Sequence, residues 1–135
     1  MNTATLPRPP VPWADRAALE PALEQLPLDW KAGLALRRHP AGHVIGKYFQ
    51  STLTSVYQPI WNPTRQQWAG HEAFVRCAAA GDAGLSPWNL FSMLADDADL
   101  VALDRLCRTL HVLNESTLAE DDFLLFLNVH GRLLP

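Results

Sequence analysis

The chain has 135 residues, of which 48% are hydrophobic and 19% are charged, a composition typical of one folded domain that can bury a core of its own. Its net charge of -3 and its one small basic cluster, residues 37–39, exclude the extended basic surface that a nucleic-acid partner requires. The longest apolar run, residues 123–127, is too short to cross a membrane, and the first residues lack the apolar segment of a signal peptide. We therefore expect a cytoplasmic protein with no membrane partner and no nucleic-acid partner.

Residues 1–50 are interpreted as a leader ahead of the main region, residues 51–135. The proline-rich stretch 7–12 must be extended, because each proline fixes its own φ and restricts the residue before it. Two short helices are predicted after it, one over residues 15–26 and one over residues 29–38. Neither helix carries a chemical motif, so the sequence assigns no function to the leader.

Two β-rich runs open the main region. Apolar residues from Leu53 to Ile60 are followed, after a break at residues 62–63, by a second run from Trp68 to Arg76. The connection between them, residues 62–67, has six residues, whereas a parallel crossover needs about a dozen or more. The two strands are therefore predicted to pair as an antiparallel hairpin.

Two helices and a buried strand are predicted next. Ser86 can cap a short helix with Pro87 in its first turn, and Asp99 can cap a longer helix with a leucine stripe over residues 100–113. Residues 123–129 are apolar on both faces, as expected for a central parallel strand covered by helices. This order predicts an α/β fold: an incomplete TIM-like (β/α) barrel that begins with an antiparallel hairpin and follows a short helical leader.

Several side chains of the predicted strands can carry chemistry. Strand periodicity places Glu72 and Arg76 on one face of the second strand and His71 on the other. Asn128, near the end of the last strand, and Gln58, on the first strand, can project toward the same site. Carboxylate and amide oxygens suit a hard cation such as Mg²⁺, and an arginine suits a phosphate oxygen that the cation also holds.

Structural interpretations stand beside these functional ones. Glu72 can form an ion pair with Arg76 instead of binding a metal, and Asn128 can bond to the backbone. His71 is interpreted as a packed or partly solvated histidine. Asp104, on the flank of the leucine-rich helix, is by itself interpreted as a solvated charge paired with Arg108.

Five short motifs follow one another along the main region. They are Tyr57-Gln58-Pro59-Ile60, Gly70-His71-Glu72-Ala73-Phe74-Val75-Arg76, Leu85-Ser86-Pro87, Leu103-Asp104-Arg105 and Leu127-Asn128-Val129. Each motif alone is weak, but their common order and spacing resemble the start of EAL domains, the family of cyclic-di-GMP phosphodiesterases. The resemblance covers roughly residues 53–135 and does not extend to the leader.

The resemblance implies a role for each of five residues. Glu72 and Asn128 would be ligands of a Mg²⁺ or Mn²⁺ ion. Arg76 would contact a phosphate of cyclic di-GMP, and Gln58 would lie beside that ligand. Asp104 is similar to an aspartate that some ligand-binding members place near a guanine edge.

The resemblance covers only the first part of an EAL domain. The family's Asp-Asp pair, its lysine and its later carboxylates would lie beyond Pro135, and residues 121–122 cannot replace the pair because they precede their strand. Phe74 stands where leucine is usual, so a bulkier ring would point into the site. Since two-metal hydrolysis needs ligands for both ions, we expect a truncated, catalytically inactive EAL-type domain. It should hold no metal stably and bind cyclic di-GMP weakly or not at all.

Other functions remain open. The chain could be a non-catalytic interaction or regulatory module, or a degenerate cyclic-di-GMP sensor in bacterial signalling. A reading frame that continued past Pro135 into an Asp-Asp-Phe-Gly-like segment would identify a cut enzyme instead. Because the strand at residues 123–129 would have an unpaired edge, self-association or a protein partner is also expected.

Overall fold

The structure is a computed structural model that describes residues 33–78, 86–94, 96–115 and 124–134. Within these ranges the chain forms five β-strands, two α-helices and one turn of 3-10 helix at Gly131–Leu133. The strands are β1 Leu34–Arg38, β2 Val44–Tyr48, β3 Ser51–Asn62, β4 Gln67–Ala78 and β5 Leu124–Leu127. The helices are α1 Pro87–Ser92 and α2 Asp97–Glu115. Neither of these helices has the length and apolar character needed to span a membrane.

The five strands form one mixed sheet in the order β1-β2-β3-β4-β5. The first four are antiparallel to their neighbours, and β5 is parallel to β4. Strands β3 and β4 have twelve residues each and pair from end to end, which confirms the predicted hairpin. At their turn the Asn62 side chain accepts hydrogen bonds of 3.0 Å from the backbone N–H groups of Thr64 and Arg65. This local side-chain bonding explains why the strand pattern breaks there.

The two faces of the sheet differ in burial. One face packs against the helices, and we call it the helix face; its buried members on β3 and β4 are Leu53, Ala73, Val75 and Cys77. The alternate residues form the opposite surface, the open face, which is more exposed; they include Val56, Gln58, Glu72, Phe74 and Arg76. The prediction that Glu72 and Arg76 share a face opposite His71 is therefore confirmed.

Helix α2 supplies most of the core. Four leucines at helical spacing are fully buried on its inner side: Leu100, Leu103, Leu106 and Leu110. They belong to one cluster with Leu53 and Val75 of the helix face. Because burial of a leucine side chain contributes roughly 1.5–3 kcal/mol, this contact is the main source of stability in the described chain. The predicted leucine stripe is confirmed.

Both helices begin at polar caps. The Ser86 side chain accepts a hydrogen bond of 3.2 Å from the Asn89 N–H, and Pro87 occupies the first turn, as predicted. Helix α2 begins earlier than predicted, because Asp96 rather than Asp99 supplies the capping oxygen. Its Oδ1 accepts the Ala98 N–H at 2.6 Å.

The prediction of an incomplete TIM-like barrel with a helical leader is wrong. The described chain is mainly a curled five-stranded sheet with one long helix, α2. Residues 34–38, predicted as the end of a leader helix, form β1, because Gly42 adopts a φ of 93° and the chain turns back to pair β1 with β2. The helix predicted over residues 15–26 and the extended stretch 7–12 lie outside the described residues.

Strand β5 also differs from its prediction. The sequence predicts a central strand covered on both faces over residues 123–129, whereas β5 spans Leu124–Leu127 and is the last strand of the described sheet. Leu124 and Phe126 are 61% and 42% exposed on the open face. These side chains are exposed because α1 and α2 pack against the helix face alone.

Gly70 sets the distance between β4 and β5. A Cβ atom at this position would lie 2.0 Å from the carbonyl oxygen of Leu124, far inside van der Waals contact. The clashing oxygen belongs to the backbone, so it cannot rotate away as a side-chain atom could. Glycine is therefore required where the two parallel strands meet.

We expect Gly70→Ala to lower the free energy of unfolding by about 2 kcal/mol or more, since the added methyl group must push β5 away from β4. Gly131→Ala is the matched control, because a Cβ there meets nothing within 4 Å. Urea denaturation followed by circular dichroism measures both variants. Equal stability of the two variants would contradict the β4–β5 pairing described here.

Candidate functional site

Three predicted site residues lie on neighbouring strands at the open face. Gln58 on β3 is directly opposite Glu72 on β4. Asn128 comes one residue after β5, and its Nδ2 donates a hydrogen bond of 2.9 Å to Glu72 Oε1 and one of 3.3 Å to the Ala73 carbonyl oxygen. We call Gln58, Glu72 and Asn128 the polar row. The sheet thus brings together side chains that are up to seventy positions apart in the sequence.

The polar row has the types of oxygen ligand that a hard cation binds, but it carries little negative charge. Glu72 supplies a carboxylate and the two amides supply neutral oxygens, the ligand types that Mg²⁺ and Mn²⁺ favour. Within the described ranges, no group of three or more His, Cys, Asp and Glu side chains comes together that could hold a metal. The Asn128 NH₂ group already satisfies Glu72, so an ion would bind only after the amide turned its oxygen inward.

Arg76 lies on the open face opposite Thr54 of β3. The ion pair between Glu72 and Arg76, the alternative interpretation of this face, is absent among the described residues, where Glu72 bonds to Asn128 instead. The Arg76 side chain is exposed. An anion can therefore reach its guanidinium group without first displacing a carboxylate of the described chain.

Asp104 lies on the opposite side of the sheet from the polar row. It projects from α2 and is only 3% exposed. Its Oδ2 is 2.7 Å from the Arg108 guanidinium, and its Oδ1 is 3.5 Å from the backbone N–H of His130. The predicted pairing with Arg108 is confirmed, but the carboxylate is buried rather than solvated. This contact holds the chain segment after β5 against α2.

A cleft of about 230 Å³ opens where β5 ends. Strand β5 pairs with residues 70–73 of β4, so no described strand flanks the next residues of β4 on that side. The cleft occupies this space, between the edge of β4, the two helices and residues 128–130. Its position therefore follows from the shortness of β5.

The cleft brings three of the five predicted site residues together. Arg76, Asp104 and Asn128 contribute to its walls, whereas Gln58 and Glu72 do not. Phe91 and His130 also line it, and their rings stack with centroids 5.4 Å apart and an interplanar angle of 17°. The five residues therefore divide between the polar row and the cleft, and Asn128 belongs to both.

A polar network that the sequence analysis did not identify connects α2 to the sheet. Ser55 Oγ lies 2.7 Å from His111 Nδ1, and the Tyr57 hydroxyl donates a bond of 2.7 Å to the His111 carbonyl oxygen. Asn114 accepts the Val44 N–H at 2.8 Å and donates to the Val44 carbonyl oxygen at 2.9 Å. These bonds satisfy buried polar groups that would otherwise destabilise the interface between helix and sheet.

The same network continues to the end of α2. His71 Nδ1 lies 3.1 Å from Glu115 Oε1, which agrees with the interpretation of His71 as a packed histidine. The signal for this network is present in the sequence, because His111, Asn114 and Glu115 continue the helix face that Leu110 occupies. Polar residues at positions expected to be apolar indicate partners on the facing sheet.

Burial controls the titration of this region. It lowers the pKa of His111 to about 4, so the ring is neutral at pH 7. It raises the pKa of Tyr57 well above the usual value, which keeps the phenol protonated as a donor. It also raises the pKa of Cys107 to about 12, with a further contribution from the charge of Asp104. Cys77 and Cys107 are buried free thiols.

Comparison with known proteins gives no relative: no family model, no curated protein and no solved structure matches this chain. Any function of this chain must therefore be inferred from its own residues and their geometry.

We expect acid to destabilise the protein through His111. Its pKa in the folded chain, about 4, lies below the ordinary value of 6.5, so the unfolded chain binds a proton that the folded chain excludes. The free energy of unfolding should fall as the pH drops from 6.5 toward 4. In His111→Gln this fall should be smaller, whereas His43→Gln, at an exposed histidine, should behave like the unaltered protein. An unchanged pH dependence in His111→Gln would show that another group is responsible.

Proposed function

We propose that this chain is a non-hydrolysing relative of EAL-type cyclic-di-GMP phosphodiesterases that acts as a regulatory module in the bacterial cytoplasm. The observation that carries the proposal is the polar row. Gln58, Glu72 and Asn128 come from three separate motifs of the resemblance, and they lie on adjoining strands with Glu72 and Asn128 in hydrogen-bond contact at 2.9 Å. Motifs that form one site must bring their residues together, as these three do. Motifs that matched by chance would place their residues at separate positions in the fold.

The charge of the polar row argues against hydrolysis. In two-metal hydrolysis one ion polarises the phosphodiester and the other generates the attacking hydroxide, and each ion needs anionic ligands of its own. The polar row contains one carboxylate, Glu72. In the described part of the chain the remaining acidic side chains are on or next to α2, not at the open face.

A bound Mg²⁺ or Mn²⁺ ion would neutralise a phosphate of the nucleotide. Glu72 and Asn128 would hold this ion, and Gln58 would contribute an amide beside it. Arg76, two positions beyond Phe74 on the same face, can donate to a phosphate oxygen. These residues can orient a phosphodiester, but none of them is placed to activate water.

A second candidate function is nucleotide sensing at the cleft. The stacked rings of Phe91 and His130 offer a surface for a base, and Arg76 offers a phosphate contact. Asp104 limits this function, since its carboxylate already pairs with Arg108 and bonds to the backbone of His130. A guanine edge would have to replace these partners, so any binding should be weak.

We expect no conversion of cyclic di-GMP to the linear dinucleotide by the pure protein with excess Mg²⁺ or Mn²⁺, because the groups that act together in hydrolysis are incomplete. Separation of the nucleotides by liquid chromatography measures this directly. Glu72→Ala is the control for contaminating activity. Metal-dependent turnover that disappears in Glu72→Ala would overturn the proposal of a non-hydrolysing protein.

We expect isothermal titration calorimetry with cyclic di-GMP to show no binding in the micromolar range. The reason is that the cleft is small and its carboxylate is already occupied. A micromolar dissociation constant that is lost in Arg76→Ala would favour the sensor instead. Arg37→Ala, at an exposed arginine of β1, is the matched control for nonspecific charge effects.

A further inference from the structure

The two outer strands of the described sheet differ in charge. Strand β1 and strand β5 each have a strand neighbour on one side only within the described ranges, so each presents backbone N–H and C=O groups at an edge. Strand β1 ends in Arg37 and Arg38, the kind of charged residues that discourage pairing with another chain. Strand β5 has the sequence Leu-Leu-Phe-Leu and carries no charge. Of these two outer strands, β5 therefore lacks the protection that β1 has.

The exposed side chains of β5 give a second observation. Leu124 and Phe126 point to the open face and are 61% and 42% exposed, and Val129 just beyond them is 41% exposed. Proteins rarely combine an uncharged strand edge with neighbouring exposed apolar side chains, because the combination is a template for strand addition. Both features occur here on the same four-residue strand.

We propose that two copies of this chain associate by pairing their β5 strands antiparallel around a two-fold axis. An added extended strand can pair with the backbone N–H and C=O groups at the β5 edge. A second copy supplies such a strand without like-charge repulsion, since neither β5 carries a charge. The result is one continuous sheet across both copies. This proposal does not depend on the function proposed above.

The sequence of β5 selects the register of this pairing. A two-fold axis perpendicular to the sheet keeps the open faces of both copies on the same side of the continuous sheet. Residues that face each other across this axis must then have side chains on the same face, so the axis lies between the two copies of one residue. An axis at Leu125 places Leu124 opposite Phe126 of the second copy, so that the two exposed side chains cover each other. An axis at Phe126 would instead place Leu124 opposite Asn128, whose amide is held by Glu72. We therefore assign the axis to Leu125.

The test begins with the full chain in solution. Sedimentation equilibrium over a hundredfold range of concentration should show a reversible shift from a 15.0 kDa monomer toward twice that mass. Leu124→Lys/Phe126→Lys should remain monomeric, because each lysine then faces another across the axis. Trp88→Lys is the matched control, since Trp88 is 76% exposed on α1, and it should associate like the unaltered chain.

A charge exchange tests the register itself. In Leu124→Lys/Phe126→Glu each lysine faces a glutamate of the second copy, so association should be restored relative to the double-lysine variant. Circular dichroism checks that both variants fold. If either variant fails to fold, Leu125→Cys gives an independent measurement, because cysteines facing each other at the axis should form a disulfide-linked dimer under mild oxidation, whereas Trp88→Cys should not.

Several outcomes would overturn the proposal. An unaltered chain that stays monomeric at every concentration would indicate that another part of the same chain, or a different protein, covers β5. Association that persists in the double-lysine variant would place the interface elsewhere. Growth beyond the dimer would contradict a closed two-fold pairing.

Discussion

The packing of α2 against one face of the sheet is the contact on which the rest of the structure depends. Its four fully buried leucines share a cluster with residues from β2, β3 and β4, so the helix holds together strands that are distant in the sequence. The described chain has no second long helix to cover the opposite face. This asymmetry leaves the open face exposed, and the polar row and the exposed side chains of β5 both lie there.

The polar network determines where α2 sits along the sheet. Asn114 bonds to both backbone groups of Val44, and His111 bonds to Ser55 and Tyr57 through its ring and its carbonyl oxygen. A leucine stripe alone would tolerate a shift of the helix, because apolar contacts are not directional. A shift would leave these buried polar groups without partners, at a cost of about 1–3 kcal/mol each. The leucines therefore supply stability, and the network selects one position.

The features that could be predicted from the sequence are those that local residues decide. The hairpin follows from a short connection at Asn62, the start of α1 from Ser86, and the leucine stripe of α2 from its spacing. Strand β1 was missed because its five residues are too few to separate a strand from a helix end, and its pairing with β2 decides the outcome. The position of β5 was missed because an apolar run fits an edge strand as well as a central one.

In the candidate site, too, the features that local residues decide could be predicted, and those that long-range contacts decide could not. Alternation along β4 correctly placed Glu72 and Arg76 on one face, since the period of a strand is local. The contact between Glu72 and Asn128 requires the parallel pairing of β4 with β5, which periodicity alone does not decide. The burial of Asp104 depends on the segment after β5 folding back over α2. Contacts between distant segments thus account for most of what the sequence left open.

The polar row and the β5 edge are physically connected through the short pairing between β4 and β5. Four residue pairs join these strands, and the bonds from Asn128 to Glu72 and Ala73 fasten the end of β5. A cation held by Glu72 and Asn128 would have to replace these bonds, because the amide must first turn its oxygen toward Glu72. The Asn128 side chain therefore serves either the attachment of β5 or the binding of an ion, and its hydrogen bonds to Glu72 and Ala73 favour the attachment.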